Sequence, residues 1–313
     1  MAQSDLSQPS PRSKVWLVTG CSSGLGQRIV CAVLARGDKI IATARRLSDL
    51  DYIKDQAGGT ERGYCITLDV TSSGEQIQNE IDKAIEHFGC IDVLVNNAGF
   101  VVSGVWEELS DQDVQSQMDT NFFGALKVTR SVLPYMRKAR SGVILFMGSI
   151  SGWYGVGAGG PYSASKFAIE GAAESLARET VHLNIRTHVL VLGLFRTDIL
   201  SSKRKAGLLK PSTGLADYNA IKTHLADRHK VTHDNQPGDP GLAAERVVDI
   251  ARMENLTDTE MQGLDSLRIP LGTDALRVMK TKCEQTMEHM SVWGSFAGST
   301  DYEGVDDVLS YLR

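Results

Sequence analysis

The stretch Val15-Trp16-Leu17-Val18-Thr19-Gly20-Cys21-Ser22-Ser23-Gly24-Leu25-Gly26 decides how the chain is read. An apolar run of strand length enters a turn holding Gly20, Gly24 and Gly26, and a helical pattern follows from about Leu25 to Arg36. Glycines let a backbone turn sharply, approach a pyrophosphate and pack a helix close to a sheet. The free N–H groups and positive dipole end of that helix then face the phosphates. No Lys-Ser/Thr follows the last glycine, which argues against a nucleoside-triphosphate loop. Taken alone, such a turn also occurs in ordinary connections. Its place at the first strand–helix junction is what favours a dinucleotide.

Outward from this turn, strand-length apolar runs alternate with helical patterns. Lys39 to Ala44, Tyr64 to Leu68, Val93 to Val95, Val143 to Met147 and Thr187 to Leu192 read as strands. Gly74 to Phe88, Asp111 to Arg137 and Tyr162 to Leu183 read as helices. This alternation predicts an α/β, single-domain Rossmann fold: a doubly wound parallel sheet with helices on both faces. Ligands of such sheets gather at the carboxyl ends of the strands.

After Leu192 the pattern loosens. Residues 197–236 are polar, carry Lys203, Arg204, Lys205 and Lys210, and end in Pro237-Gly238-Asp239-Pro240. The stretch is long enough for a substrate lid, and its basic cluster reads as a solvated lid surface rather than an anion site. A helix from about Pro240 to Met253 follows, with Asp239 as N-cap and Pro240 at its first position. A short strand near Leu267 to Pro270 and a last helix from Asp274 to Val292 complete the domain. The expected organisation is a polar, disordered leader over 1–13, one domain over 14–293 and an acidic surface tail over 294–313.

The whole chain has 313 residues, 42% hydrophobic and 23% charged, enough for a real core. Its net charge of −5 implies no broad attraction to nucleic acid or anionic membrane. No apolar run approaches a bilayer span, and the N-terminus lacks the apolar core of a secretion signal. Five scattered cysteines without a C-x-x-C pair support neither a disulfide framework nor a zinc cluster. A reduced, cytoplasmic setting is expected, and no metal site.

The end of the second strand bears on the cofactor. An NAD site places an acid there for the ribose diol, but this chain has Ala44-Arg45-Arg46. Arginine can pair bidentately with the 2′-phosphate of NADP, so Arg45 leads as candidate and Arg46 assists. The rival reading is two arginines opening a solvated helix. Chemistry is expected at Tyr162-Ser163-Ala164-Ser165-Lys166, which places Tyr162 and Lys166 at i and i+4 on one helix face. A free tyrosine titrates near 10, and an ammonium beside it favours the phenolate. Ser149, just after the fifth strand, can hydrogen-bond a reacting oxygen.

Over about Lys14 to Thr197 the chain resembles the short-chain dehydrogenase/reductase family. Thr19 to Gly26 is similar to its T-G-x-x-x-G-x-G turn, and Asn96-Asn97-Ala98-Gly99 to its N-N-A-G segment. The resemblance implies cofactor contacts from Gly20, Ser22, Ser23, Gly24, Leu25 and Gly26. It adds Asp69 and Val70 at the adenine, then Asn97, Ala98, Gly99, Tyr162, Lys166, Gly193 and Thr197. It implies Asn121, Ser149, Tyr162 and Lys166 as the catalytic set of an NADPH-dependent carbonyl reductase or alcohol dehydrogenase. Tyr162 would move the proton, Ser149 would hold the oxygen, Lys166 would lower the tyrosine pKa, and Asn121 would support a water beyond Lys166.

One departure is Leu192-Gly193, where the family has Pro-Gly, which puts the shape of that loop in question. Trp153, Tyr154 and Phe195, with Ser149, Val101 and Leu194, are expected around a lipophilic ketone or aldehyde. Within the family the chain looks similar to the 17β-hydroxysteroid dehydrogenase-like and retinol dehydrogenase-like reductases. The resemblance also implies a homodimer or homotetramer through the two long helices, where Ala168, Gly171, Ala172 and Ala173 are small. The rival function is an NADPH-binding regulator without turnover.

Overall fold

The central strands are mostly apolar, and the fold divides their side chains between two cores. A computed structural model describes residues 12–197, 214–232 and 235–302. Its strands are β1 (Val15–Val18), β2 (Lys39–Ala44), β3 (Gly63–Thr67), β4 (Val93–Asn96), β5 (Gly142–Met147), β6 (Ile185–Leu192) and β7 (Arg268–Leu271). They form one parallel seven-stranded sheet in the order β3-β2-β1-β4-β5-β6-β7. Strand order reverses between β1 and β4, which opens a crevice at their carboxyl ends. This is the Rossmann-like architecture expected from the alternation.

The helices are α1 (Gly24–Ala35), α2 (Gly59–Arg62), α3 (Gly74–Phe88), α4 (Asp111–Met118) and α5 (Ala125–Ala139). After them come α6 (Gly160–Thr180), α7 (Asn219–Thr232), α8 (Pro240–Arg252), α9 (Asp258–Gly263) and α10 (Thr273–Gly298). Trp16, Val18, Val93 and Val95 point to one face and meet Ile29, Val33 and Val247 of α1 and α8. Leu17, Leu94, Ile144 and Phe146 point to the other and meet Ile77, Val128 and Ile169 of α3, α5 and α6. Successive strand residues alternate between faces, and covering both faces explains the unbroken apolar runs. Burying each such side chain contributes roughly 1.5–3 kcal/mol.

Polar anchors sit behind the sheet. Buried Asp38 accepts from Trp16 Nε1 at 2.8 Å and from the Lys14 backbone at 2.9 Å, and pairs with Arg252 at 2.6 Å. Asp239 caps α8 through Gly241 N at 2.6 Å and Leu242 N at 3.2 Å, with Pro240 opening the helix.

Several boundaries differ from the sequence reading. The expected helix over 111–137 is interrupted by a wider π turn over Asp119–Gly124. α6 starts two residues before Tyr162, because Pro161 is favoured at a helix start. α10 continues to Gly298, so Gly294 lies inside a helix and does not begin a tail. Within the expected lid, α7 gives 219–232 a regular fold; the basic cluster Lys203 to Lys210 lies outside the described residues, as do 1–11 of the leader. Ala173, expected on an association face, is fully buried in the core beside Ile169. Among the described residues no helix is long and apolar enough to cross a membrane.

Candidate active site

A cleft of about 1150 Å³ opens at the carboxyl ends of the strands, with the turn after β1 at its base. Local chemistry explains the turn. Gly20 takes φ +70°, the left-handed region, and a Cβ there would sit 2.8 Å from Ala98 Cα. A Cβ on Gly26 would fall on the Gly20 carbonyl oxygen and Asn97 Nδ2. The N-N-A-G segment holds the turn from the next strand: Asn97 Nδ2 donates to Thr19 O at 2.8 Å and Gly20 O at 3.1 Å. Thr19 Oγ1 accepts from Asn97 N and Ala98 N, both at 3.0 Å.

The turn fits an anionic ligand. Ser23 occupies the N-cap of α1 without making the usual capping bond, and its buried hydroxyl has no partner. The first turn of α1 contains no acid, so its N–H groups face the cleft uncompensated. Gly20, Ser22, Ser23, Gly24, Leu25 and Gly26 all line the cleft. So do Arg45, Arg46, Asp69, Val70, Asn97, Ala98, Gly99, Gly193 and Thr197. The two arginines differ. Arg46 is paired with Asp49 at 2.9 Å, whereas exposed Arg45 makes no ion pair among the described residues. Asp69 turns its carboxylate onto Thr71, accepting from N at 2.9 Å and Oγ1 at 2.7 Å.

Deeper in the cleft stand Asn121, Ser149, Tyr162 and Lys166. Ser149 follows β5 on extended backbone, and its Oγ accepts from Ser151 N at 3.1 Å. Tyr162 lies in the first turn of α6, with the Lys166 ammonium 5.6 Å from its ring centroid. Burial pushes the Tyr162 phenol up, against a hydrogen bond with Ser149 that pulls it down. The expected lowering by Lys166 is therefore not the direction found. Lys166 instead donates to Met147 O at 2.6 Å, and burial lowers its own pKa to about 8, against the charge of Glu170.

Asn121 lies in the π turn, a distortion frequent at functional positions. Its amide grips the Phe100 peptide from both sides, accepting from N at 3.1 Å and donating to O at 3.0 Å. It also reaches Ser165 Oγ at 3.3 Å, and that hydroxyl donates to Tyr162 O at 2.7 Å.

The loop after β6 is held without the proline. Leu194 N donates to Asp274 Oδ2 at 2.7 Å, and Gly238 N donates to Leu194 O at 3.0 Å. Val101, Tyr154, Leu194 and Phe195 line the cleft, and Trp153 does not. Trp153 is turned away, its ring 5.8 Å from the Arg268 guanidinium. Arg268 in turn binds Glu170 at 2.7 Å and Glu174 at 2.8 Å. Sequence reasoning missed Glu170, Asp274 and the lining residues Leu225, Arg228 and Gln236. Glu170 continued the Tyr162–Lys166 spacing by another i+4 step and was within reach of that argument. The others come from distant segments without a motif.

Residues 14–207 match the family described as short chain dehydrogenase. An uncharacterized oxidoreductase of Bacillus subtilis is 33% identical over 263 residues, covering 83% of this chain and 89% of its own length. A 3-ketodihydrosphingosine reductase of Bacteroides thetaiotaomicron is 34% identical over 204 residues, 65% of this chain and 72% of the relative. A solved short-chain dehydrogenase from Streptomyces avermitilis superposes with a TM-score of 0.77 at 30% identity, covering 94% of this chain and all of that one (100%).

Proposed function

The chain belongs to the short-chain dehydrogenase family, an oxidoreductase family that uses nicotinamide cofactors, and from that premise we propose an NADPH-dependent reductase of lipophilic ketones or aldehydes. The observation that carries the reading is one continuous cleft joining the glycine turn to Ser149, Tyr162 and Lys166. When bound, the nicotinamide cofactor supplies the hydride. The Ser23 hydroxyl and the first N–H groups of α1 would hold its diphosphate, and Arg45, without an ion pair among the described residues, would take the 2′-phosphate.

Tyr162 donates a proton to the carbonyl oxygen while Ser149 orients that oxygen. Burial keeps the phenol in its acid form, which suits reduction better than alcohol oxidation. Lys166 stays positively charged below about pH 8 and favours negative charge developing near Tyr162. Asn121 is a positioning residue, fixing the Phe100 peptide and, through Ser165, the start of α6. Val101, Tyr154, Leu194 and Phe195 give the substrate end an apolar wall, with α7 as the lid. The relative named as a 3-ketodihydrosphingosine reductase supports a keto group on an apolar chain.

A cytoplasmic homodimer or homotetramer through α5 and α6 belongs to the same proposal. Phe167 remains exposed on α6, as does Phe123 in the π turn before α5. The test is NADPH consumption against a panel of ketones and aldehydes, wild type beside Tyr162→Phe. Turnover by the wild type alone supports the reading. Equal rates sink the mechanism, and tight NADPH binding without turnover on any substrate favours a regulator.

A further inference from the structure

The lid helix brings an arginine into the cleft that no motif announced. Arg228 lies on α7, half-buried, lines the cleft and makes no ion pair among the described residues. Two contacts seat the helix. Lys222 Nζ reaches the Glu108 carboxylate, and the Ile221 side chain packs against Gly157 so closely that a Cβ there would meet it at 2.8 Å. One turn on, Leu225 is buried against the cleft and Arg228 follows on the same side.

A second observation comes from beyond the helix. Gln236 lines the same cleft, is only 6% exposed, and its side-chain oxygen has no partner. Its backbone oxygen accepts from Arg196 Nε at 3.2 Å, which places it beside the Gly193–Thr197 loop. A buried amide oxygen without a partner is costly unless a ligand satisfies the group. Turned by half a rotation, it presents two N–H donors. The carboxylates lining the cleft, Asp49 and Asp69, are engaged by Arg46 and Thr71. Among the described residues Arg228 has no counter-ion to prefer.

We propose that Arg228 and Gln236 form an oxyanion subsite, which α7 closes over the cleft between the substrate loop and the segment after β6. A guanidinium matches a carboxylate or phosphate bidentately. The oxyanion is either the cofactor's diphosphate or a carboxylate on the substrate. The inference rests on reading this cleft as the cofactor and substrate site.

The test uses the full chain with Arg228→Met, Arg228→Lys and Gln236→Leu, each checked for an unchanged melting midpoint. Calorimetric titration with inorganic pyrophosphate reads the subsite. Arg228→Met is expected to weaken binding at least tenfold, with Arg228→Lys and Gln236→Leu losing less. Two further titrations identify the source. A diphosphate source weakens NADPH and NADH by the same factor in Arg228→Met. A carboxylate source leaves both unchanged, and octanoate binding to the NADP+-loaded chain falls while octanol binding holds. Identical curves for wild type and Arg228→Met with every probe overturn the proposal. All of these are binding measurements, so a wild type that binds the probes but reduces no carbonyl sinks only the reductase reading.

Discussion

The turn after β1 and helix α7 line the same cleft, yet they are built by different means. The turn is backbone: Gly20 in a left-handed conformation, Gly26 against a carbonyl, and peptide groups tied to Asn97 and Thr19. What it offers the cleft is main-chain N–H groups and the Ser23 hydroxyl, so there is little room for side-chain variation. α7 offers side chains, Leu225 and Arg228, on a helix seated by the Lys222–Glu108 pair and Ile221. Changing those side chains leaves the sheet untouched. On the proposed reading, the first region sets what kind of reaction is possible and the second sets on what.

The strongest way to break this division is at Tyr162, which lines the cleft that both regions border. Tyr162→Phe is expected to lower kcat roughly 10³-fold, within the range for loss of a general acid, with NADPH affinity changed less than about twofold. Stopped-flow hydride transfer and cofactor titration check the two halves. The pH profile sharpens the point. As pH rises through about 8 the Lys166 ammonium is lost, so kcat for reduction should fall on that alkaline side. Glu170 raises the Lys166 pKa by its charge, so Glu170→Gln should move the limb to lower pH. An unmoved limb would leave Glu170 a purely structural partner of Arg268.

Gly26→Ala tests the backbone half alone. Its Cβ meets the Gly20 carbonyl, which cannot move without opening the turn. Overpacking of this kind costs about 1–3 kcal/mol. The melting midpoint should drop, and NADPH and NADH binding should fall together. If Gly26→Ala bound both normally, the turn would not be the rigid element described.

Much of the first region was legible because it is local. A strand, three glycines and a helix start lie within one stretch, Val15 to Gly26, and Tyr162 and Lys166 sit one turn apart. The second region was not, because its contacts are long-range and unpatterned. Asp274 reaches Leu194 from the start of α10, and Gln236 meets Arg196 from 40 residues further along the chain. The π turn at Asn121 was also invisible, since nothing in the local pattern marks it and the Asn121 contact to the Phe100 backbone spans 21 residues. The sequence reading has Arg45 leading and Arg46 assisting at the phosphate, but only the structure shows Arg46 committed to Asp49.

That asymmetry yields a smaller effect. Arg45→Ala should weaken NADPH about tenfold, equivalent to roughly 1.4 kcal/mol, while NADH affinity stays level. Arg46→Ala should do less, because its guanidinium already serves Asp49. Fluorescence titration with both cofactors distinguishes them. A common loss for NADPH and NADH would move Arg45 from the 2′-phosphate to the diphosphate and erase its contrast with Arg228.

The smallest expected effect separates neighbours in one loop. Trp153 and Tyr154 adjoin in sequence, but only Tyr154 lines the cleft. Trp153 stacks beneath Arg268, whose other contacts are Glu170 and Glu174. Trp153→Phe keeps an aromatic face for that cation and should cost stability only about 0.5–1 kcal/mol, with KM within about twofold of wild type. Tyr154→Ala should leave the melting midpoint nearly unchanged and shift KM for apolar ketones several-fold. Calorimetric melting and steady-state kinetics on the two variants measure both. The reverse pattern would mean that the loop presents its other face to the substrate, and the apolar wall would have to be redrawn around Trp153.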